Sequence, residues 1–314
     1  MKENVSSQNL KIWVYGAGAV GSYYGGRLSQ LGHQVLFISR GKQLKALKEN
    51  GLQVQSCDGD FVLGSVQACT QEELPNQFTP DLVIIATKRY SNDEVVSVLK
   101  KTLPGAIPLF ILQNGINSEN IFVDNFGSEQ VTRAVLNIAV ALEKPGFLQH
   151  KAGGYVILQE NGIWPQKLLA ELQAGGVKGH ISKNIQIDAW SKIVWNASFN
   201  TVTALSGLTT KNVLADEDGY QLVYKLGEEV RQLALQNGIE LPLTIVQDKI
   251  KFTQDLLGDI STSTLEDVRQ GKKIEYEAIV GDLVENAKKL KISVPYLETV
   301  YTLLKLLDKN HLAA

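Results

Sequence analysis

Cysteine, histidine and long apolar runs are what this 314-residue chain has least of. Its two cysteines, Cys57 and Cys69, flank the turn signal Asp58-Gly59-Asp60 and have no ligand companions nearby in the sequence. That excludes a disulfide framework, gives no metal set, and leaves two buried or half-buried structural thiols as the expectation. Only four histidines occur, with His33 between a helix and a strand and His311 in the tail, so imidazole is a poor candidate for acid–base work. No run of about eighteen uncharged apolar residues is present, which argues against a membrane-spanning helix. Residues Met1 to Asn9 are polar and show no apolar core of a secretory signal. Neither charge sign dominates, with 31 Lys and Arg against 33 Asp and Glu, so a nucleic-acid or membrane-surface partner has no support. No internal repeat or low-complexity linker is evident. The expectation is a cytoplasmic protein long enough for two domains.

What is there begins with glycine. The apolar run Ile12-Trp13-Val14-Tyr15 reads as a buried strand, and Ser22 to Leu28 reads as the start of a helix. Between them stands Gly16-Ala17-Gly18-Ala19-Val20-Gly21. In a strand–turn–helix unit Gly16 permits the tight turn, Gly18 lets backbone approach a pyrophosphate, and Gly21 lets helix pack close on strand. The helix then aims its free N–H groups at the phosphates. Gly32 closes this helix and Gln34 to Ile38 is a second strand, completing a βαβ unit. NAD-selective sites usually place a carboxylate after that strand, whereas here it ends Ser39-Arg40-Gly41-Lys42. A guanidinium pairs with a 2′-phosphate, so Arg40 points to NADPH/NADP+ as cofactor.

A helix over Gln43 to Asn50 and a hairpin around Asp58-Gly59 follow. Asp81 to Ala86 is apolar without alternation, as in a parallel strand buried on both faces. It leads to Lys88, at a carboxyl strand end where ligands bind in such folds; a solvated loop lysine is the bland alternative. A helix over Asp93 to Lys101 and a strand over Ile107 to Leu112 lead to Gln113-Asn114-Gly115, where Asn114 can orient a nicotinamide or a substrate oxygen or simply make a turn. Strands over Val131 to Ala141 and Gly154 to Leu158, a helix over Trp164 to Gln173 and a strand over Val177 to Ile181 complete the first half. Residues 1–183 are therefore expected to be a Rossmann-type dinucleotide-binding domain, α/β in class.

From Asn184 helical periodicity takes over, giving residues 184–314 as an all-α domain. Asp188 is the expected N-cap of a helix over Ala189 to Leu205, ended by Gly207. Further helices are expected over Tyr220–Gln236, Leu243–Leu257, Ile274–Leu290 and Tyr296–Leu307. An apolar helix face here admits a homodimer interface as readily as an internal core. Lys192, Asn196 and Asn200, at i, i+4 and i+8, make a row that drifts about 40° per step. Two stacked asparagines, poor helix formers, imply either amide pairing with a neighbouring helix or a ligand groove. Hydride arriving at a carbonyl carbon leaves charge on oxygen that must be met by a proton or a cation, and Lys192 can supply both. In Ser261 to Val268, Ser263 and Glu266 fit a capping box; alternatively Ser263 donates to a substrate carboxylate while Glu275 accepts from a substrate hydroxyl.

In series these motifs resemble the ketopantoate reductases (2-dehydropantoate 2-reductases) over nearly the whole chain. The resemblance rests on the glycine turn, Lys88, Leu112-Gln113-Asn114-Gly115, the row Lys192, Asn196 and Asn200, and Ser263 to Asp267 leading to Glu275 and Gly281. It implies NADPH-dependent reduction of the small 2-keto acid 2-dehydropantoate to pantoate on the pantothenate and coenzyme A route. By resemblance Lys192 is the general acid, Asn114 lies beside nicotinamide and substrate, and Asn196 and Asn200 line the site. Ser263 contacts the substrate carboxylate, Glu275 its hydroxyl, and Arg40 the 2′-phosphate. The chain departs from the family where members usually carry Thr and Asn, having Ile274 and Val280, and where many carry Gly-Gly, having Arg133-Ala134. A related reductase of another 2-keto acid, or a non-catalytic NADPH-binding sensor, are the competing readings.

Overall fold

A computed structural model of the protein describes residues 9–313, so the N-terminal stretch before Asn9 lies outside the described residues. Contacts divide the chain into two units: residues up to Gln113 with Glu119–Lys183, and Asn114–Ser118 with Asn184 onward.

The first unit carries ten strands among the described residues: β1 (Lys11–Tyr15), β2 (Gln34–Ile38), β3 (Leu52–Ser56), β4 (Phe61–Leu63), β5 (Gln67–Cys69), β6 (Leu82–Ile85), β7 (Leu109–Ile111), β8 (Val131–Lys144), β9 (Phe147–Gln159) and β10 (Gly179–Ser182). They run in the order β4-β3-β9-β8-β7-β6-β1-β2-β5, with β10 beside β9. From β8 to β5 every pairing is parallel. The helices are α1 (Ala19–Gln30), α2 (Gly41–Asn50), α3 (Asn92–Thr102), α4 (Asn120–Phe126) and α5 (Trp164–Ala174).

The unalternating apolar runs follow from this layering. Ile12 and Val14 of β1 face the core that holds Tyr23, Tyr24 and Leu28 of α1. Trp13 and Tyr15 face the opposite core, with Val95 and Leu99 of α3 and Phe122 of α4. Both faces of the strand are thus buried, and alternation has nothing to mark. β2 lies on one side of β1 and β6 on the other, so the sheet reverses its winding there, which opens a crevice beyond their carboxyl ends.

Some strands differ from the sequence expectation. β8 and β9 extend to a hairpin whose turn is Pro145-Gly146, because register irregularities along the pair and positive φ at Gly153 and Gly154 break the period that marks a strand. β5 is a three-residue edge strand, too short to leave a pattern. Cys69 is buried as expected, but Cys57 is exposed.

The second unit is helical: α6 (Ile185–Trp195), α7 (Thr201–Ser206), α8 (Thr210–Ala215), α9 (Glu217–Gln236), α10 (Ile245–Phe252), α11 (Ser263–Arg269), α12 (Asp282–Leu290) and α13 (Pro295–Ala313). Three π turns, Asn196–Asn200, Thr253–Leu257 and Glu277–Gly281, interrupt or extend these helices. Trp190, Val194 and Ala197 pack with Val223, Leu226 and Val230 of α9 and with Leu297 of α13 in one core. Asp188 is not the cap. The helix begins three residues earlier, with Asn184 at the N-cap, because Ile185 is already buried in helical backbone; Asp188 sits in the first turn, where its carboxylate meets the positive helix end. Gly207 ends the run at φ 76°, as expected. Among the described residues no helix is long and apolar enough to cross a membrane.

Candidate active site

The glycine turn is built for close approach. Gly16 and Ala17 donate their N–H groups to the carbonyl of Ile38, at 3.1 and 3.0 Å, which pins the turn to the end of β2. Gly16 has φ 100°, and a Cβ there would lie 2.6 Å from the Thr87 nitrogen. At Gly21 a Cβ would lie 2.3 Å from the Gly16 carbonyl oxygen, so glycine is what lets α1 descend onto β1. Gly18 is the opposite case. It is exposed, and a Cβ on it would meet nothing within 4 Å. The absence of a side chain there serves no internal contact and leaves an open cradle at the N-terminus of α1. The N–H groups of Ala19, Val20 and Gly21 stand in that first turn, and no acidic residue competes for them. These residues fit a dinucleotide pyrophosphate.

Arg40 is exposed two residues beyond Ile38, on which the glycine turn is pinned, and forms the N-cap position of α2. Lys88 is half-buried just beyond β6. The loop it belongs to is held by a partner that sequence reading missed: the Gln113 amide donates to the carbonyl of Thr87 at 2.9 Å and to Asn92 Oδ1 at 2.7 Å, and Asn92 Nδ2 donates back to Gln113 Oε1 at 3.1 Å. Arg133 is also explained here. It is buried and paired at 3.0 Å with the buried carboxylate of Glu119, a compensated charge where the family usually has glycine.

In the second unit the Lys192 ammonium donates to Asn114 Oδ1 at 2.9 Å, across 78 positions of sequence. Both side chains are half-buried. Asn114 also accepts on its carbonyl from the Ser118 hydroxyl, which folds the segment Asn114–Ser118 on itself. Asn196 and Asn200 are buried, 5% and 2% exposed, and belong to the π turn that follows α6. The row is therefore not the drifting α-helical one. In a turn closed on the i→i+5 pattern a four-residue step falls short of a full revolution, where an α-helical step overshoots by about 40°. The step to Asn200 thus takes back the drift accumulated from Lys192 to Asn196. Asn200 Oδ1 is buried with no hydrogen-bond partner, which costs about 1–3 kcal/mol unless a ligand donor meets it.

Ser263 is exposed and is not a cap; Thr262 is, accepting from the Leu265 N–H at 3.2 Å. The Thr262 hydroxyl is in turn 2.7 Å from that of Thr203 on α7, which fixes the start of α11 to that helix and leaves Ser263 outward. Glu275 is 7% exposed, and its carbonyl accepts the Ala278 and Ile279 N–H groups at 3.1 Å, at the entry to the third π turn. Its neighbour Ile274 donates its N–H to Asp308 Oδ1 at 2.7 Å, so a buried aspartate of α13 anchors the backbone that carries Glu275. Ile274 and Val280 are themselves fully buried, Val280 in the helical core. No local pattern marks Thr203 or Asp308; each acts through a distant backbone.

Two family models match, that of "Ketopantoate reductase PanE/ApbA" over residues 12–162 and that of its C-terminal part over residues 184–308. The chain is 30% identical over 306 residues to a 2-dehydropantoate 2-reductase of Pyrococcus abyssi, covering 94% of this chain and 97% of that one. It superposes on the crystal structure of a 2-dehydropantoate 2-reductase from Methylococcus capsulatus with a TM-score of 0.85 at 29% identity, covering 96% of this chain and 98% of that one. A D-mandelate dehydrogenase solved with NADH and anilino(oxo)acetate shares the fold, with a TM-score of 0.90 at 24% identity over 96% of this chain and 99% of that one. With both units matched and relatives that run nearly end to end, the chain belongs to the ketopantoate reductase PanE/ApbA family of oxidoreductases.

Proposed function

We propose that the protein reduces 2-dehydropantoate to pantoate with NADPH. The observation that carries the reading is the hydrogen bond from Lys192 Nζ to Asn114 Oδ1, at 2.9 Å. It aims the one side chain in the helical row that can both stabilise a forming alkoxide and protonate it. When bound, the nicotinamide supplies a hydride to the keto carbon. Gly16 to Gly21 hold the pyrophosphate through backbone N–H groups, and Arg40 pairs with the 2′-phosphate. Gln113 and Asn92 keep the Thr87-Lys88 loop in place, and Lys88 adds a positive charge at the strand ends. Lys192 Nζ gives its proton to the substrate oxygen and regains one from solvent. Asn196 and Asn200 present amides to the substrate, and the unpaired Asn200 Oδ1 accepts from a substrate hydroxyl. Ser263 donates to the substrate carboxylate, and Glu275 accepts from the hydroxyl at the other end. Buried Ile274 and Val280, in place of the family's polar residues, favour testing other branched 2-keto acids as a second reading.

The test is NADPH oxidation followed by its near-ultraviolet absorbance, with 2-dehydropantoate, a panel of other 2-keto acids, and NADH as alternative donor. NADPH-dependent turnover of 2-dehydropantoate that drops by about 10²–10⁴-fold in Lys192→Ala supports both substrate and acid. Turnover confined to another keto acid replaces the substrate, and tight NADPH binding with no turnover on any of them replaces catalysis by a sensor role.

A further inference from the structure

We propose that Cys57, Asp58 and His150 form a binding site for one divalent cation of the zinc class, separate from the reductase residues. Cys57 and Asp58 lie in the turn between β3 and β4, while His150 comes from β9, 93 positions after Cys57. The sequence shows no companion for Cys57, and the fold supplies two. Ligand atoms of the three side chains all fall within 4.8 Å of one another.

The geometry of the histidine is the first support. His150 Nε2 lies 3.1 Å from the Ala152 carbonyl, which can only accept, so Nε2 carries the proton. In the neutral ring Nδ1 is then the lone pair, and it points to the Ser56 hydroxyl at 2.9 Å and the Cys57 sulfur at 3.7 Å. A second-shell carbonyl on the far nitrogen is what orients metal-bound imidazoles in general. The spacing is the second support. With a metal–sulfur bond near 2.3 Å and a metal–nitrogen bond near 2.05 Å, a tetrahedral angle separates S from N by roughly 3.6 Å. The observed 3.7 Å needs almost no adjustment.

The ligands are also held in place beforehand. The Cys57 N–H donates to the His150 carbonyl at 3.1 Å, the Ser56 N–H to Asp60 Oδ1 at 2.7 Å, and the Gly59 N–H to the Ser56 carbonyl at 3.0 Å. Tyr23 packs on the His150 ring with centroids 4.5 Å apart. Asp58 is exposed and free to rotate its carboxylate inward, and its N–H donates to the Ser56 hydroxyl at 3.0 Å. Arg27 also reaches that hydroxyl, at 3.2 Å, so one cation already stands beside the site; thiolate and carboxylate together balance a divalent ion against it. Binding forms a metal–sulfur and a metal–nitrogen bond, releases the Cys57 thiol proton to solvent, and replaces the Ser56 hydroxyl proton at Nδ1. Water completes a tetrahedron. A thiolate, an imidazole and a carboxylate favour zinc over magnesium or calcium.

The experiment uses the full chain, stripped with a chelator and titrated with Co²⁺ and then Zn²⁺. One Co²⁺ per chain should bring up a thiolate-to-cobalt charge-transfer band and visible bands of tetrahedral intensity, both removed by Zn²⁺, and Zn²⁺ should raise the melting temperature. Cys57→Ser, at an exposed position that leaves the core intact, should abolish the band, and Asp58→Ala should weaken Co²⁺ binding by about tenfold or more. Absence of the band in wild type, or its persistence in Cys57→Ser, overturns the proposal.

Discussion

Gly18 and Gly21 are three residues apart, and the structure predicts opposite defects for the same substitution at each. In Gly21→Ala the new methyl meets the Gly16 carbonyl oxygen at 2.3 Å, Val14 Cγ1 at 3.0 Å and Ala86 Cβ at 3.1 Å. A carbonyl in a pinned turn cannot rotate away, so the cost falls at the upper end of the overpacking range, about 3 kcal/mol. Alanine returns about 1 kcal/mol of helix propensity, which leaves a net loss of about 2 kcal/mol. For a unit of this size that lowers the melting temperature by about 4–8 °C. In Gly18→Ala the methyl meets nothing, and φ −76° suits any residue. The fold should be unchanged or stabilised by about 0.4–1 kcal/mol. The methyl instead fills the cradle, and NADPH affinity should fall by about tenfold or more, at least about 1.4 kcal/mol. Thermal melting without cofactor and fluorescence titration with NADPH measure the two quantities separately. Wild-type affinity in Gly18→Ala would refute close backbone approach by a pyrophosphate, and wild-type melting in Gly21→Ala would refute the packing argument.

Asn114→Ala removes a charge-assisted hydrogen bond of about 1.5–3 kcal/mol, so kcat should fall by about 10–150-fold with little change in NADPH affinity, as steady-state kinetics will read. Arg40→Glu should weaken NADPH by at least about tenfold and leave NADH equal or better; comparison of kcat/KM for the two donors decides it, and an unchanged ratio removes Arg40 from the site. Burial holds the Lys249 amine below its usual pKa of 10.5, against the attraction of Asp248 and Asp188. The unfolded chain therefore binds more protons between the lowered value and 10.5, so folding stability rises with pH across that window. Lys249→Met should be more stable than wild type near neutral pH and lose that advantage on the alkaline side, in urea melts at roughly pH 7 and pH 10.

What could be read from the sequence was what local periodicity and turn chemistry encode. The strand of Ile12 to Tyr15, the glycine turn, the helix to Gln30 and the strand of Gln34 to Ile38 stand where the pattern put them. So do the long helices α9 and α13, whose apolar faces repeat over many turns. The rest depends on distant neighbours. Thr262 rather than Ser263 caps α11 because Thr203, 59 positions away, holds its hydroxyl, and two adjacent hydroxyls look alike in sequence. Asp308 was invisible as the anchor of Ile274 for the same reason. Cys57 seemed to stand alone because its neighbour His150 arrives through the pairing of β3 with β9. The grouping of Asn114 with the helical unit is likewise a tertiary fact that no spacing announces.

The π turn at Asn196–Asn200 sets a counting rule for the lineage of this chain. Surface loops absorb insertions and deletions at small cost, but this turn lies in a buried helix run, where residue number is also angle. Loss of one residue would let the run relax to a continuous α-helix and turn everything after it by about 100°. Thr201 and Thr203, which are fully buried and bond back to the Ala197 and Phe199 carbonyls, would then face new neighbours, and the Thr203–Thr262 bond would be lost. Point substitutions can drift at these positions one at a time, whereas length cannot. Evolution of this site is therefore free in its chemistry and fixed in its arithmetic: Lys192 and Asn200 must stay eight residues apart.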